Sequence, residues 1–197
     1  MTDQATLGVY GRKAAEYLAV TQDAVAKDPL LKAFIAALPD QSTVLDLGAG
    51  PGLFAAAIAA AGHRVVATDA VPEMVTLAAQ HPGVEARLAT FADIGGVDEF
   101  DGIWANFSLL HAPREKMPDH LAALKTALKP GGLFHIGMKT GTGTHRDTLG
   151  RLYTYYTGEE LEALLVAAGF TVTDRTTGRD PGLDGTMADW IALRAYG

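Results

Sequence analysis

The chain has 197 residues, 48% of them apolar and 20% charged, which is enough for one globular domain with a substantial core. A formal charge of −7, with no Lys/Arg stripe, argues against nucleic acid and against anionic membranes as partners. The absence of cysteine excludes disulfides, thiol nucleophiles and cysteine zinc sites, and the six scattered histidines predict no built-in metal site.

The first segment of the chain is predicted to be helical. Between Leu7 and Leu38, apolar positions three and four apart predict two helices, "VYGRKAAEYLAV" and "PLLKAFIAAL". The N-terminus has no basic region followed by an apolar core, and no apolar run is long enough to cross a bilayer. We therefore expect a cytoplasmic protein.

From Thr43 onward, short strand-like runs alternate with helical ones. Strands are predicted at 43–47, 64–69, 84–89, 101–107, 133–139, 170–176 and 189–195, and helices at 52–61, 72–80, 113–128 and 158–168. Thr157 and Glu160 have capping-box spacing at the start of the last helix. This alternation predicts a parallel sheet with helices on both faces, a doubly wound α/β fold. The segment 140–156 is predicted to be a long unstructured loop, of the kind that is usually functional or mobile.

The glycine-rich turn in "TVLDLGAGPG" predicts a ligand site at the carboxyl end of the first strand. A nicotinamide fingerprint needs a glycine where Leu53 stands, and Pro51 lacks the N–H that a phosphate cradle would use. Asp46 would repel a pyrophosphate but suits a cationic ligand. Asp69, at the end of the second strand, is placed for ribose hydroxyls. An adenosine with an ammonium and a sulfonium in place of phosphates is S-adenosylmethionine.

The successive strings "VLDLGAGPG", "VVATDAVPEMV", "RLATFADI", "FDGIWANFSLLHAPRE" and "ALKPGGLFHIGMK" resemble the ordered motifs of class I S-adenosylmethionine-dependent methyltransferases. The T-F-x-D-I and S-L-L-H strings are most similar to small bacterial enzymes of the tellurite-resistance type. The resemblance implies one methyltransferase domain over 1–197, with an N-terminal helical lid over 1–40 and a cofactor-binding core over 43–197. It also implies a Rossmann-like, seven-stranded, mostly parallel sheet with an antiparallel last strand.

The same resemblance implies roles for individual residues. Asp46 would lie near the ammonium of the cofactor, Asp69 would bind both ribose hydroxyls, and Asn106 would close the methionine end. The remaining cofactor residues that it implies are Tyr10 in the lid, Gly48, Ala49 and Gly50 in the turn, and Ala70, Met74, Thr90 and Phe91 around the adenine. Many relatives carry an acid where Thr90 stands.

The acceptor side is predicted from the polar residues near the long loop. Lys139, Arg151 and Tyr153 are candidates for a substrate wall, although charged runs are more often simply solvated. His111 is either a general base beside the transferred methyl group or a structural donor to a loop carbonyl. Tyr10 could also be a packing residue. Trp104 and Trp190 are interpreted as packing residues.

Three functions remain open from the sequence. The first is methyl transfer to a small molecule, because the chain leaves no room for an appended recognition domain. The second is a non-catalytic S-adenosylmethionine-binding module or partner subunit. The third, a nicotinamide oxidoreductase, is opposed by Leu53 and Pro51. Neither the acceptor nor the oligomeric state follows from the residues.

Overall fold

The computed structural model describes residues 3–25 and 27–197, so residues 1, 2 and 26 of the predicted lid lie outside the described residues. The helices are α1 (Gln4–Arg12), α2 (Ala14–Val25), α3 (Pro29–Ala37), α4 (Leu53–Ala60), α5 (Pro72–Ala78), α6 (Met117–Ala127) and α7 (Gly158–Ala167). The strands are β1 (Thr43–Leu47), β2 (Arg64–Asp69), β3 (Val84–Leu88), β4 (Phe100–Asn106), β5 (Leu128–Lys139), β6 (Thr144–Arg146), β7 (Leu152–Thr154), β8 (Thr171–Pro181) and β9 (Met187–Tyr196).

The central sheet has the predicted architecture. Its seven strands run in the order β3-β2-β1-β4-β5-β9-β8, with β1 to β5 parallel and β9 antiparallel to both of its neighbours. The order reverses between β1 and β4, so their carboxyl ends form the crevice in which such sheets bind ligands. The fold class expected from the sequence is confirmed.

Each face of the sheet has its own core. On one face, Phe34 of α3 and Ile58 of α4 pack with Val44 and Trp104. On the other, side chains of α6 and α7 such as Leu121 pack with the opposite-facing strand residues. Because both faces are covered, the inner strands are almost wholly apolar, as the sequence shows.

The N-terminal segment forms three helices where the sequence predicted two. The chain leaves helical geometry at Lys13, with φ −106° and ψ 13°, so Tyr10 and Tyr17 lie on different helices. Lys13 is neither glycine nor proline, although Gly11 lies two residues before it. Tertiary contacts account for the break, because α1 packs against α5 while α2 packs against α4.

The segment 140–156 is also more ordered than predicted. Strands β6 and β7 pair antiparallel within it, with Thr144 opposite Thr154 and Arg146 opposite Leu152. Strands of three residues are too short for an alternation of polar and apolar side chains to be recognised in the sequence. The predicted capping box at Thr157 and Glu160 is present and starts α7.

Candidate active site

Two cavities and a smaller chamber lie at the predicted edge of the sheet. The first cavity brings together nine of the predicted residues: Tyr10, Gly48, Gly50, Asp69, Ala70, Met74, Phe91, Asn106 and His111. The inner chamber adjoins it and is lined by Asp46, Gly48, Ala49, Gly50, Pro51, Trp104 and Asn106 among others. The second cavity is lined by Lys139, Arg151 and Tyr153 among others.

The glycine turn after β1 brings the backbone close to the strand-four side of the crevice. Gly48 has φ +68°, and a Cβ built on it would lie 2.4 Å from Cβ of Ser108. Any other residue would therefore be strained in its backbone and would push the two loops apart. Gly48 therefore allows the two loops to approach each other closely and also allows the turn itself.

Asp69 joins the turns that follow β1 and β2. Its Oδ2 accepts a hydrogen bond from the backbone N–H of Gly50 at 2.8 Å, and its Oδ1 accepts one from Val71 at 2.9 Å. Burial raises the pKa of Asp69, and these two backbone bonds oppose the rise. Each carboxylate oxygen retains a second lone pair at the wall of the first cavity. The group can hold the turn and still accept hydrogen bonds from a ligand.

Asp46 is a buried carboxylate with an unused oxygen. Its side chain lies in the inner chamber, the residue is 2% exposed, and Oδ2 has no hydrogen-bond partner. Burial raises its pKa to about 8, the backbone N–H of Ala55 lowers it in part, and the charge of Asp69 raises it further. A group in this state is stabilised by a cationic ligand, which restores the ionised form.

Thr90 differs from the other residues predicted around the adenine. Its hydroxyl donates to Asp93 Oδ2 at 2.7 Å and accepts from the N–H of Ala92 at 3.3 Å. These bonds cap a short 3₁₀ turn, and Thr90 does not line the first cavity, whereas Phe91 does. The side chain of Thr90 therefore has a structural role in capping this turn.

His111 belongs to a hydrogen-bonded chain of buried groups. Its Nδ1 lies 2.7 Å from the carbonyl oxygen of Leu152, so this nitrogen carries the proton and donates. Nε2 then accepts from the hydroxyl of Tyr10 at 2.9 Å, and the Tyr10 oxygen accepts from Arg151 Nη1 at 3.0 Å. Burial lowers the pKa of His111 to about 4. Both nitrogens are engaged in a neutral ring, which favours the structural interpretation of His111 over the general base.

Arg151 is buried rather than solvated. It is 2% exposed, and its guanidinium lies 2.6 Å from Oδ2 of Asp147 in an ion pair. Lys139 is half-buried, with Nζ 4.4 Å from the ring centroid of Tyr153. Burial and the nearby Arg151 lower the pKa of Lys139. These residues line the second cavity together, and Arg151 also has a structural partner in Asp147; their role as a substrate wall stays a prediction.

Helix α1 is tied to the β6–β7 hairpin above the first cavity. Asp3 caps α1 and forms an ion pair with Arg146 at 2.8 Å. The hydroxyl of Thr6 accepts from the N–H of Leu152, also at 2.8 Å. The lid and the hairpin therefore form one cover.

Four lining residues were missed or interpreted differently in the sequence. Tyr17 and Phe107 line the first and second cavities, and Trp190 lines the second while its Nε1 donates to Asp180 Oδ2 at 2.6 Å. Trp104 faces the inner chamber. The two-residue spacing from Trp104 to Asn106 on one strand could have suggested a shared face.

Two negative findings concern the described ranges, 3–25 and 27–197. Within them, no three histidine, aspartate or glutamate side chains are grouped so as to hold a metal ion. No helix in the same ranges combines the length and apolar character that a membrane crossing requires.

Comparison with known sequences places the matching region around the glycine turn and the strands beside it. Residues 44–132 match the profile of a family described as a methyltransferase domain. The ubiquinone biosynthesis O-methyltransferase of Xanthomonas campestris is 34% identical over 110 residues, which are 51% of this chain and 44% of that protein. The biotin biosynthesis bifunctional protein BioHC of Cellvibrio japonicus is 30% identical over 142 residues, which are 68% of this chain and 27% of that protein. The chain thus spans less than half the length of these curated relatives.

Among solved structures, the 1,6-didemethyltoxoflavin-N1-methyltransferase of Burkholderia thailandensis is similar over nearly the whole chain. It superimposes with a TM-score of 0.78 at 28% identity and covers 98% of this chain and 87% of its own. That structure holds 1,6-didemethyltoxoflavin and S-adenosylhomocysteine. The narrower resemblance to tellurite-resistance enzymes is not addressed by these relatives and stays a prediction.

Proposed function

We propose that this chain, which belongs to the S-adenosylmethionine-dependent methyltransferases, transfers a methyl group from that cofactor to a small-molecule acceptor. The observation that carries the proposal is the junction of the two cavities. Tyr10, Tyr17 and Phe107 line both of them, so a donor in the first and an acceptor in the second would meet there. Reaction between two bound molecules requires this adjacency and their alignment.

The residues of the first cavity and the inner chamber fit S-adenosylmethionine. The unpaired Oδ2 of Asp46 matches its ammonium, and Asp69 matches the ribose hydroxyls. Ala70, Met74 and Phe91 offer an apolar slot for the adenine. When bound, the cofactor supplies a methyl group already activated on a sulfonium.

The second cavity is suited to a flat acceptor. Aromatic rings of Phe107, Tyr153 and Trp190 contribute to its wall, and Lys139 adds a cation beside Tyr153. Stacking on rings and attraction to an ammonium favour a planar molecule with an acidic or anionic group. The structurally similar 1,6-didemethyltoxoflavin-N1-methyltransferase, whose structure holds 1,6-didemethyltoxoflavin, supports a small-molecule acceptor.

The protein's contribution to the reaction is alignment and exclusion of water. Because His111 is neutral, buried and bonded through both nitrogens, it orients Tyr10 at the junction instead of removing a proton. The acceptor would then react as an anion or as a lone pair that needs no base. Lys139 would hold such an anion in the second cavity.

Calorimetry and radiolabel transfer test the proposal. The parent protein should bind S-adenosylhomocysteine and not NAD, and should transfer labelled methyl groups to members of a panel of phenols and nitrogen heterocycles. Lys139→Met should reduce turnover about tenfold or more with any accepted compound while leaving S-adenosylhomocysteine affinity unchanged. The control is Lys116→Met, since Lys116 pairs with Asp119 at the surface and lies outside both cavities.

The alternatives give different results in the same assays. A non-catalytic module would bind S-adenosylhomocysteine but transfer no methyl group to any compound in the panel. A nicotinamide oxidoreductase would bind NAD instead. A cytoplasmic location and the absence of nucleic-acid partners stay predictions from the composition.

A further inference from the structure

The inner chamber contains a second unpaired polar group that methyl transfer, as described above, does not use. Trp104 has no exposed surface, and its Nε1–H has no hydrogen-bond partner. It stands directly opposite Asp46 in the β1–β4 register, and both side chains line the chamber. A buried N–H without a partner costs about 1–3 kcal/mol, which packing alone would avoid with phenylalanine.

A third polar group in the chamber is held in one orientation by strand β5. His135 Nε2–H donates to Oδ1 of Asn106 at 3.1 Å, which leaves the amide NH₂ of Asn106 available. Burial lowers the pKa of His135 to about 3, so the ring is a neutral donor at physiological pH. The same ring stacks on Trp104, with centroids 3.7 Å apart and planes 11° from parallel. One histidine therefore contacts both the indole and the carboxamide.

Gly137 provides the space that this orientation requires. It pairs with Asn106 in the β4–β5 register, and a Cβ built on it would lie 2.3 Å from Oδ1 of Asn106. Any larger residue would displace the carboxamide. Two residues of β5 thus fix one side chain of β4.

We propose that Trp104 and Asn106 bind the carboxylate of the cofactor's methionine end, and that His135 is a positioning residue for both donors. The inference rests on the proposed function and adds residues to it. The chamber then offers one acceptor, Asp46 Oδ2, for the ammonium and two donors for the carboxylate. This donor and acceptor set is complementary to the ammonium and the carboxylate of a zwitterionic amino acid.

Two ligands separate recognition of the amino acid from general damage to the site. S-adenosylhomocysteine carries the amino-acid end, whereas 5′-methylthioadenosine keeps the adenosine and sulfur but lacks it. Trp104→Phe keeps the ring and removes the N–H, and His135→Phe keeps an aromatic ring for stacking and removes the donor. Each substitution should weaken the binding of S-adenosylhomocysteine about tenfold in calorimetry. The affinity for 5′-methylthioadenosine should change less than twofold.

The controls use neighbouring residues and a conservative replacement. Phe34 packs on Trp104 with centroids 5.1 Å apart but carries no polar group, so Phe34→Leu should affect both ligands equally. His135→Gln retains an N–H and should keep S-adenosylhomocysteine affinity within about threefold. Melting curves establish that each variant is folded, and Trp104→Phe carries the test if His135→Phe is not folded.

Each outcome decides the proposal. Selective loss of S-adenosylhomocysteine binding in Trp104→Phe and His135→Phe, with recovery in His135→Gln, supports it. Equal losses for both ligands, or unchanged affinity for S-adenosylhomocysteine, would assign Trp104 and His135 to packing only and overturn it. A parent protein that binds neither ligand would instead refute the proposed function.

Discussion

Replacing Asp46 with asparagine should make the ligand-free protein more stable at alkaline pH while weakening cofactor binding. The folded protein holds this carboxyl in a chamber where burial raises its pKa from 3.8 to about 8. Between these values the folded state keeps a proton that the unfolded chain releases. The side chain therefore opposes folding increasingly as the pH rises. Asparagine has a similar shape and cannot ionise.

The size of the effect follows from the same two values. Stability present below the unfolded pKa of 3.8 is lost as pH rises through the folded pKa of about 8. Each pH unit in this window is worth about 1.36 kcal/mol. From pH 5 to pH 8, the parent should lose up to about 4 kcal/mol relative to Asp46→Asn. Burial also raises the pKa of Asp69, which is present in both proteins.

Urea unfolding at pH 5 and pH 8, without ligand, measures this difference. At pH 8 the variant should be the more stable protein, and the gap should narrow at pH 5. Calorimetry with S-adenosylhomocysteine at pH 8 should show the opposite order, with the parent binding at least tenfold more tightly because a charged hydrogen bond to the ammonium is lost. A gap in stability that does not change with pH would refute the account of Asp46, and unchanged ligand affinity would refute its role toward the ammonium.

Three further outcomes are expected. Asp69→Ala should weaken the binding of S-adenosylhomocysteine about tenfold or more in calorimetry. It should also lower the melting temperature, because two backbone N–H groups lose their acceptor. An unchanged affinity with an intact fold would show that Asp69 does not bind the ribose. Arg151→Met leaves Asp147 buried without its cation and should cost about 3–5 kcal/mol in urea unfolding; a loss below 1 kcal/mol would show that the pair is solvated. Arg146→Ala removes the ion pair to Asp3 and should speed amide hydrogen exchange in α1 without changing exchange in the central sheet; identical exchange in α1 would show that this pair does not hold the lid.

The sequence alone determined the features that depend on local pattern. Strand-like runs alternating with helical ones predicted the seven strands of the sheet, and Asp46 near the end of β1 and Asp69 at the end of β2 located the crevice. The resemblance of successive motifs supplied the family, and residues 44–132 also match the profile of a methyltransferase domain. These features depend on residues only a few positions apart, so local sequence patterns are sufficient to predict them.

Tertiary structure decided how distant side chains combine. The bond between Tyr10 and His111 joins positions 101 residues apart, and it converted a candidate base into a neutral, fully bonded ring. The break at Lys13 and the β6–β7 hairpin likewise depend on contacts with other elements. Trp104 looks like a core residue in its strand, and only its stack on His135 and its unpaired N–H distinguish it. Burial and hydrogen-bond partners are properties of the folded chain, and a periodic pattern of apolar residues does not specify which buried polar atoms are left without a partner.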